Sequence, residues 1–267
     1  MPNSSTFKPS KDLKILKLPF PTGRVIAIGD VHGCIKELRE LLVKVQFESG
    51  DTLIFLGDLV DRGPGSEDVV QQIIGMAKYL NVYSVLGNHD EKPIRYHYHQ
   101  LKAKEEPGYK VPMRCPGAYN ELSESSLEYL ASCPHAIIMP NEGTAEPYTL
   151  CFVHAGIGPG TFHQPPNAFV RNRYFTRNVK DNKLIPVKSI EIEGIWYVPE
   201  GSHPWHYYWD GRWTILYGHS VNWSPEIVNN TIGIDGGCCF GGCLRAWVKD
   251  GNRQFFLDVP AKEVYSG

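Results

Sequence analysis

The sequence predicts an α/β fold, on three observations: short apolar runs that stop at Gly-Asp or Gly-Asn, helical-period segments between them, and a C-terminal series of short strands without helices. Arg24-Val25-Ile26-Ala27-Ile28 is β-branched and stops at Gly29-Asp30. Residues 34 to 45 then carry Leu38, Leu41, Leu42 and Val45 at helical spacing. A second run, Thr52 to Leu56, stops at Gly57-Asp58, and residues 66 to 80 supply another helix. Ser66 is its expected N-cap, with Val69, Val70, Ile73, Ile74 and Met76 facing inward. A third run, Val82 to Leu86, stops at Gly87-Asn88. A β-α-β-α-β order makes the strands parallel, so their C-terminal ends share one edge, the edge where open α/β sheets bind ligands.

Residues 1 to 20 are polar and proline-bearing and read as an N-terminal tail or edge segment, leaving 21–267 as one domain. Residues 102–121 lack periodicity and read as a surface insertion. A helix is expected from about Ser125 to Ser132, followed by apolar runs at Ala136 to Met139 and Tyr148 to Val153. Residues 157 to 212, rich in Pro, Asn and aromatics, read as loop-dominated. The final runs, Thr214 to Tyr217, Thr231 to Ile234, Leu244 to Val248 and Gln254 to Leu257, predict a second, more antiparallel sheet.

The bulk composition excludes several classes. With 267 residues, 42% of them hydrophobic, the chain can bury a sizeable core. A net charge of −2 argues against a generally basic face for a nucleic-acid duplex. No apolar run is long enough for a membrane span, and the first twenty residues lack the apolar stretch of a signal peptide. The expectation is a cytoplasmic protein. Its seven scattered cysteines are an odd number and do not suggest a disulfide framework.

Five clusters carry the chemistry: Gly29-Asp30-Val31-His32-Gly33, Gly57-Asp58-Leu59-Val60-Asp61-Arg62-Gly63, Gly87-Asn88-His89-Asp90, Val153-His154-Ala155-Gly156 and Tyr217-Gly218-His219-Ser220. Asp, Asn and His are oxygen and nitrogen donors suited to Mn, Fe or Zn. A dinuclear site asks for about six protein ligands with one carboxylate bridging, and metals roughly 3.5–4 Å apart can share a hydroxide that attacks phosphorus. Asp30 and His32 can chelate one metal, Asn88, His154 and His219 the other, with Asp58 as the bridge. Arg62 can fork onto a phosphoryl group. His89 can protonate the leaving oxygen, with Asp61 fixing its tautomer. A lone Gly-Asp or a lone His means little; five such clusters in order are a different matter.

These motifs, GDVHG, GDLVDRG, GNHD, VHAG and YGHS, resemble those of the calcineurin-like metallophosphoesterases, in the branch of Ser/Thr protein phosphatases and symmetric dinucleoside-tetraphosphatases. The resemblance covers roughly residues 24 to 258 and implies a β-sandwich flanked by helices, with the metals at the sheet edge. It also implies the same ligand set, the same His89–Asp61 acid pair and Arg62 as the first phosphate-binding arginine. Asp90, where the protein phosphatases carry Glu, is shared with the dinucleoside-tetraphosphatase-like members. So are the stretch Ile234 to Cys238 and the Gly241-Gly242-Cys243-Leu244 tail.

The expected substrates are therefore phosphoanhydrides, either a dinucleoside polyphosphate or inorganic polyphosphate. A Ser/Thr phosphoprotein is the alternative, and a non-catalytic scaffold the minor one. The family adds a second arginine from its middle region; Arg171 and Arg173 are the candidates, with Arg177 behind them. Aromatics around 196 to 213 could stack an adenine or simply be core. His97 and His99, two apart on a helix, face away from each other and read as solvated. Cys238, Cys239 and Cys243 lack a second ligand pair of zinc-finger type and read as packing.

Overall fold

The computed structural model describes residues 4–140, 149–158, 165–192 and 195–266. The first half runs β1 (Ile15–Lys17), β2 (Val25–Ile28), α1 (Ile35–Lys44), β3 (Thr52–Phe55), α2 (Ser66–Ala77), β4 (Asn81–Ser84), α3 (Asn88–Glu105) and α4 (Glu124–Ser132). Then come β5 (Ala136–Met139), β6 (Leu150–Val153), α5 (Pro166–Arg171), β7 (Tyr174–Arg177), β8 (Leu184–Val187), β9 (Ile190–Ile192), β10 (Ile195–Tyr197) and β11 (His203–Pro204). The chain closes with β12 (Thr214–Tyr217), β13 (Glu226–Val228), β14 (Thr231–Gly233), β15 (Cys243–Asp250) and β16 (Arg253–Pro260).

Two mixed sheets form the centre, in the orders β16-β15-β2-β3-β4 and β1-β5-β6-β12-β14-β13. The expected β2-β3-β4 unit is parallel. Strand residues alternate between two cores, as the period-2 pleat requires. Val25, Ala27 and Ile54 of one sheet meet Ile137, Phe152 and Leu216 of the other in the middle of the sandwich. Ile26, Ile28, Leu53 and Phe55 face outward onto α1, α2 and α4 through Leu38, Leu41, Val69, Ile73 and Leu130. On the far side, Ile138, Cys151 and Val153 pack against Phe169 of α5, Phe175 of β7 and Trp205. This is the expected sandwich of mixed sheets between helical layers.

One expectation is overturned. The C-terminal strands do not make a second, antiparallel sheet of their own. β12 pairs in parallel with β6 and β14, while β15 pairs antiparallel with β2 and β16. An apolar run reports that a strand will be buried, not which partner buries it; the partner here is decided by pairings made far along the chain.

The N-terminal residues are an edge. Ile15–Lys17 extends the second sheet beside β5, and Phe7 is buried in the helical core. Within 102–121, α3 continues to Glu105 and a 3-10 turn at Gly117–Glu121 packs back with Ala118 buried, so the looping-out is confined to the residues between. His97 and His99 are not simply solvated: each Nδ1 lies beside a tyrosine hydroxyl, of Tyr119 at 2.8 Å and of Tyr109 at 2.7 Å. They share no metal-ligating cluster among the described residues. No described helix is long and apolar enough to cross a membrane.

Candidate metal centre and phosphate site

All five sequence clusters come together where the strands end. Asp30 and His32 follow β2, Asp58 follows β3, Asn88 opens α3, His154 follows β6 and His219 follows β12. The loops are laced to one another: Val31 and His32 donate their N–H groups to the Asp58 carbonyl at 3.1 and 2.8 Å. Asp30 accepts the His219 N–H at 3.0 Å, and Asp58 Oδ1 accepts the His89 N–H at 2.8 Å. His32, Asp58, Asp61, Arg62 and His219 all hold positive φ, between 47 and 79°. Left-handed backbone is uncommon outside glycine and persists only where surroundings over-determine it. Two glycines permit the approach. A Cβ at Gly87 would lie 2.3 Å from Asp58 Oδ1, and one at Gly218 would lie 2.0 Å from Asp30 Oδ1.

Asp58 stands between two donor sets. Its Oδ2 lies 3.5 Å from His32 Nε2, and its Oδ1 lies 3.4 Å from His154 Nε2. Asp30, His32 and Asp58 form one buried group of donor atoms, and Asp58, His154 and His219 a second. Asn88 Oδ1 joins the second set, 3.0 Å from His154 Nε2. The imidazoles are oriented from behind by backbone carbonyls: His32 Nδ1 on Val60 at 3.1 Å and His154 Nδ1 on Leu56 at 2.8 Å. That arrangement turns each Nε2 toward the carboxylates, as outer partners do for metal-binding histidines.

The donors fit metal ions. His219 Nε2 is buried without a hydrogen-bond partner, a cost unless a cation meets it. Burial and the neighbouring Asp235 push Asp30 well above the usual carboxylate range. Burial carries Asp90 up to about 7 and Asp235 up to about 6. Burial alone would lower His154, yet Asp58 and Asp30 bring it up to about 9. Asp58 resists its own burial because His154 and His32 hold it well below the usual range. The cluster thus demands positive charge at its centre, and hard-to-borderline cations satisfy that demand.

Beside the donors sit His89 and Asp61, the pair expected to act as the acid. His89 Nδ1 is 2.6 Å from Asp61 Oδ2, and this hydrogen bond brings Asp61 down to about 2. Asp61 is itself positioned by Ser66 Oγ, which accepts its N–H at 3.1 Å. Ser66 is therefore the first residue of α2 rather than its cap, which is Gly65. Arg62 Nη2 approaches His89 Nε2 at 3.5 Å, and its guanidinium lies over Phe240, 4.8 Å from the ring centroid.

The middle arginines separate. Arg173 lines the same cavity and donates to the His219 carbonyl at 2.7 Å. Arg171 turns to the Glu91 carboxylate instead, and Arg177 donates to Asn182 well outside the cavity. Asp235 is 4% exposed and lines the site, although the sequence pattern assigned it no role. Lys92 Nζ, 3.3 Å from His89 Nδ1, is a further missed residue; its position three after His89 on a helix is the signal that could have found it. Trp205 and Trp209 are core, while the side chain of Trp196 lies outside the described residues. Cys238 and Cys239 are packed in the helical core, and Cys238 groups with Cys34 and Glu37 rather than with Cys243.

The profile of the calcineurin-like phosphoesterase family matches residues 23–262, and the chain belongs to that family. It is a metallophosphoesterase of the hydrolase class, acting on phosphoric esters or anhydrides. The chain is 32% identical over 232 residues to bis(5'-nucleosyl)-tetraphosphatase PrpE [asymmetrical] of Halalkalibacterium halodurans, covering 82% of this chain and 87% of that protein. It is 26% identical to the symmetrical bis(5'-nucleosyl)-tetraphosphatase of Pseudomonas putida, covering 87% of this chain and 92% of that one. A crystal structure described as "a putative diadenosine tetraphosphatase" superposes with a TM-score of 0.71 at 29% identity, covering 92% of this chain and 98% of that chain. A yeast protein serine/threonine phosphatase, at 14% identity and a TM-score of 0.53 over 97% of this chain and 87% of that one, shares the fold.

Proposed function

We propose that this chain hydrolyses phosphoanhydrides, with a dinucleoside polyphosphate as the preferred substrate and inorganic polyphosphate as a second. The observation that carries the site reading is Asp58, whose two oxygens face two separate sets of nitrogen and oxygen donors. One metal is assigned to Asp30, His32 and Asp58, the other to Asp58, Asn88, His154 and His219; the donors suit Mn, Fe or Zn alike. When bound, such a pair lowers the pKa of water and neutralises charge on the phosphoryl oxygens.

The chain's own residues do the rest. Arg62 and Arg173 both line the cavity and grip phosphoryl oxygens. Asn88, which lines the same cavity, touches the same oxygens. His89 delivers a proton to the leaving oxygen from Nε2 while Asp61 holds Nδ1. Two arginines on one cavity favour a chain of phosphates over a single monoester. The names of the tetraphosphatase relatives support the dinucleotide, and those at about a third identity favour the asymmetric split. Seven unpaired cysteines fit the reducing cytoplasm.

The test is to compare kcat/KM of Mn²⁺-loaded protein on diadenosine tetraphosphate, long-chain polyphosphate and a phosphoserine peptide. The reading expects the dinucleotide to lead, with ATP and AMP as products. A preference for the peptide would move the chain to the phosphoprotein phosphatases.

A further inference from the structure

We infer that the end of the cavity lined by Val221, Asn222 and Glu226, with Trp223 next along the chain, is a nucleoside subsite. In it Glu226 accepts hydrogen bonds from ribose hydroxyls or a base N–H, and Trp223 stacks on the base. This rests on the phosphoanhydride reading above and specifies what lies beyond the phosphates.

The cavity holds about 510 Å³, and the metal donors and arginines line only part of it. Its remaining wall includes Val221, Asn222 and Glu226. A carboxylate is an odd neighbour for a phosphate-binding site, because it repels the phosphates. An oxygen it leaves unpaired has a use where the ligand offers donors. Glu226 is held for that purpose. Its Oε2 accepts from the Tyr217 hydroxyl at 2.5 Å and from Asn222 Nδ2 at 3.2 Å, with His206 Nε2 at 3.7 Å. No described group donates to Oε1. The side chain is 32% exposed, so one oxygen is fixed and the other is offered to the cavity. Dinucleotide-binding folds place an acid against ribose hydroxyls for the same chemical reason.

Trp223 supplies the aromatic partner. It directly follows Asn222 of the cavity wall and is 72% exposed, and Val221, which lines the cavity, is 38% exposed. The segment is nevertheless fixed. Arg245, 2% exposed and forked onto Asp258 at 2.8 and 2.9 Å, donates to the Asn222 carbonyl at 3.1 Å and the Trp223 carbonyl at 3.2 Å. The indole edge rests on Gly242, where a Cβ would stand 3.0 Å from Cζ3. A held ring with open surface is a stacking platform that needs no ordering when a base arrives.

The test compares Trp223→Ala and Glu226→Gln with the parent chain on diadenosine tetraphosphate and on tripolyphosphate, which has no nucleoside. Each variant should raise KM for the dinucleotide about tenfold or more, the scale of one lost base contact, and leave tripolyphosphate kinetics within about twofold. Trp223 is exposed, so its loss leaves the fold standing. Equal effects on both substrates, or none, overturn the subsite. A parent chain that cleaves neither anhydride overturns the substrate reading instead. Calorimetric titration with AMP then decides the subsite separately: binding lost in Trp223→Ala while inorganic phosphate binding is kept supports it, and unchanged AMP binding or none in the parent sinks it.

Discussion

Asp61 Oδ2 and His89 Nδ1 lie 2.6 Å apart, joining the loop after β3 to the first turn of α3. The contact depends on an Asp61 φ of 74°, a conformation held by Ser66 and by the neighbouring Arg62 turn. Asp61, at about 2, stays ionised across the working pH range and keeps the proton on Nδ1. Asp61→Asn and His89→Gln should each lower kcat by about 10²–10⁴ while metal content is unchanged. Loss of metal in either variant would show that the pair is structural.

Asp58 faces both donor sets, so its removal should cost more than that of any terminal ligand. Asp58→Ala is expected to bind neither metal stoichiometrically, whereas His219→Ala keeps the site built on Asp30 and His32. Elemental analysis of the dialysed proteins checks this. A chelator should abolish turnover, and added Mn²⁺ should restore it.

Arg171 and Arg173 are two residues apart and should behave differently. Arg173→Ala should raise KM for a phosphoanhydride roughly tenfold, the scale of one lost charge-assisted contact. Arg171→Ala leaves Glu91 still paired with Arg95 at 3.3 Å and should stay within about twofold. Equal effects in steady-state kinetics would contradict the assignment.

Asp90 accepts three backbone N–H groups, from Leu59 at 2.8 Å, Val60 at 3.3 Å and Gly87 at 2.9 Å. It therefore pins the loop after β3 to the turn that opens α3. Asp90→Asn places an amide donor against those N–H groups and should destabilise by about 1–3 kcal/mol, seen as a Tm lower by several degrees. An unchanged Tm would show that the loops do not need it.

His135 gives a pH test away from the candidate metal centre. Its Nδ1 accepts the Lys14 N–H at 3.0 Å, tying β1 to β5, and burial lowers the imidazole to about 4. The unfolded chain takes up its proton near 6.5 and the folded chain only near 4, so the unfolded state binds more protons between these values. Stability from this group is fully present above about 6.5 and falls as the pH drops toward 4. The urea midpoint should decline over that window less in His135→Gln than in the parent; parallel slopes would remove His135 as the cause.

Much of this protein is decided locally. Gly-Asp, Gly-Asn and His-bearing turns sit at the ends of apolar runs, and a run's length and period say strand or helix whatever lies beside it. The β2-β3-β4 unit was legible for that reason, and so was the convergence of Asp30, His32, Asp58, Asn88, His154 and His219 at the strand ends. Pairing and direction were not. β12 and β15 both carry short apolar runs, yet they enter different sheets because their neighbours come from distant β6 and β2. Arg171 and Arg173 are alike as sequence, yet only one turns to the cavity, because Glu91 on α3 captures the other. The Trp205 and Trp209 rings are core while Trp223 is exposed. Composition and periodicity depend on a residue and its near neighbours, whereas partner choice depends on contacts that exist only once the chain has closed on itself.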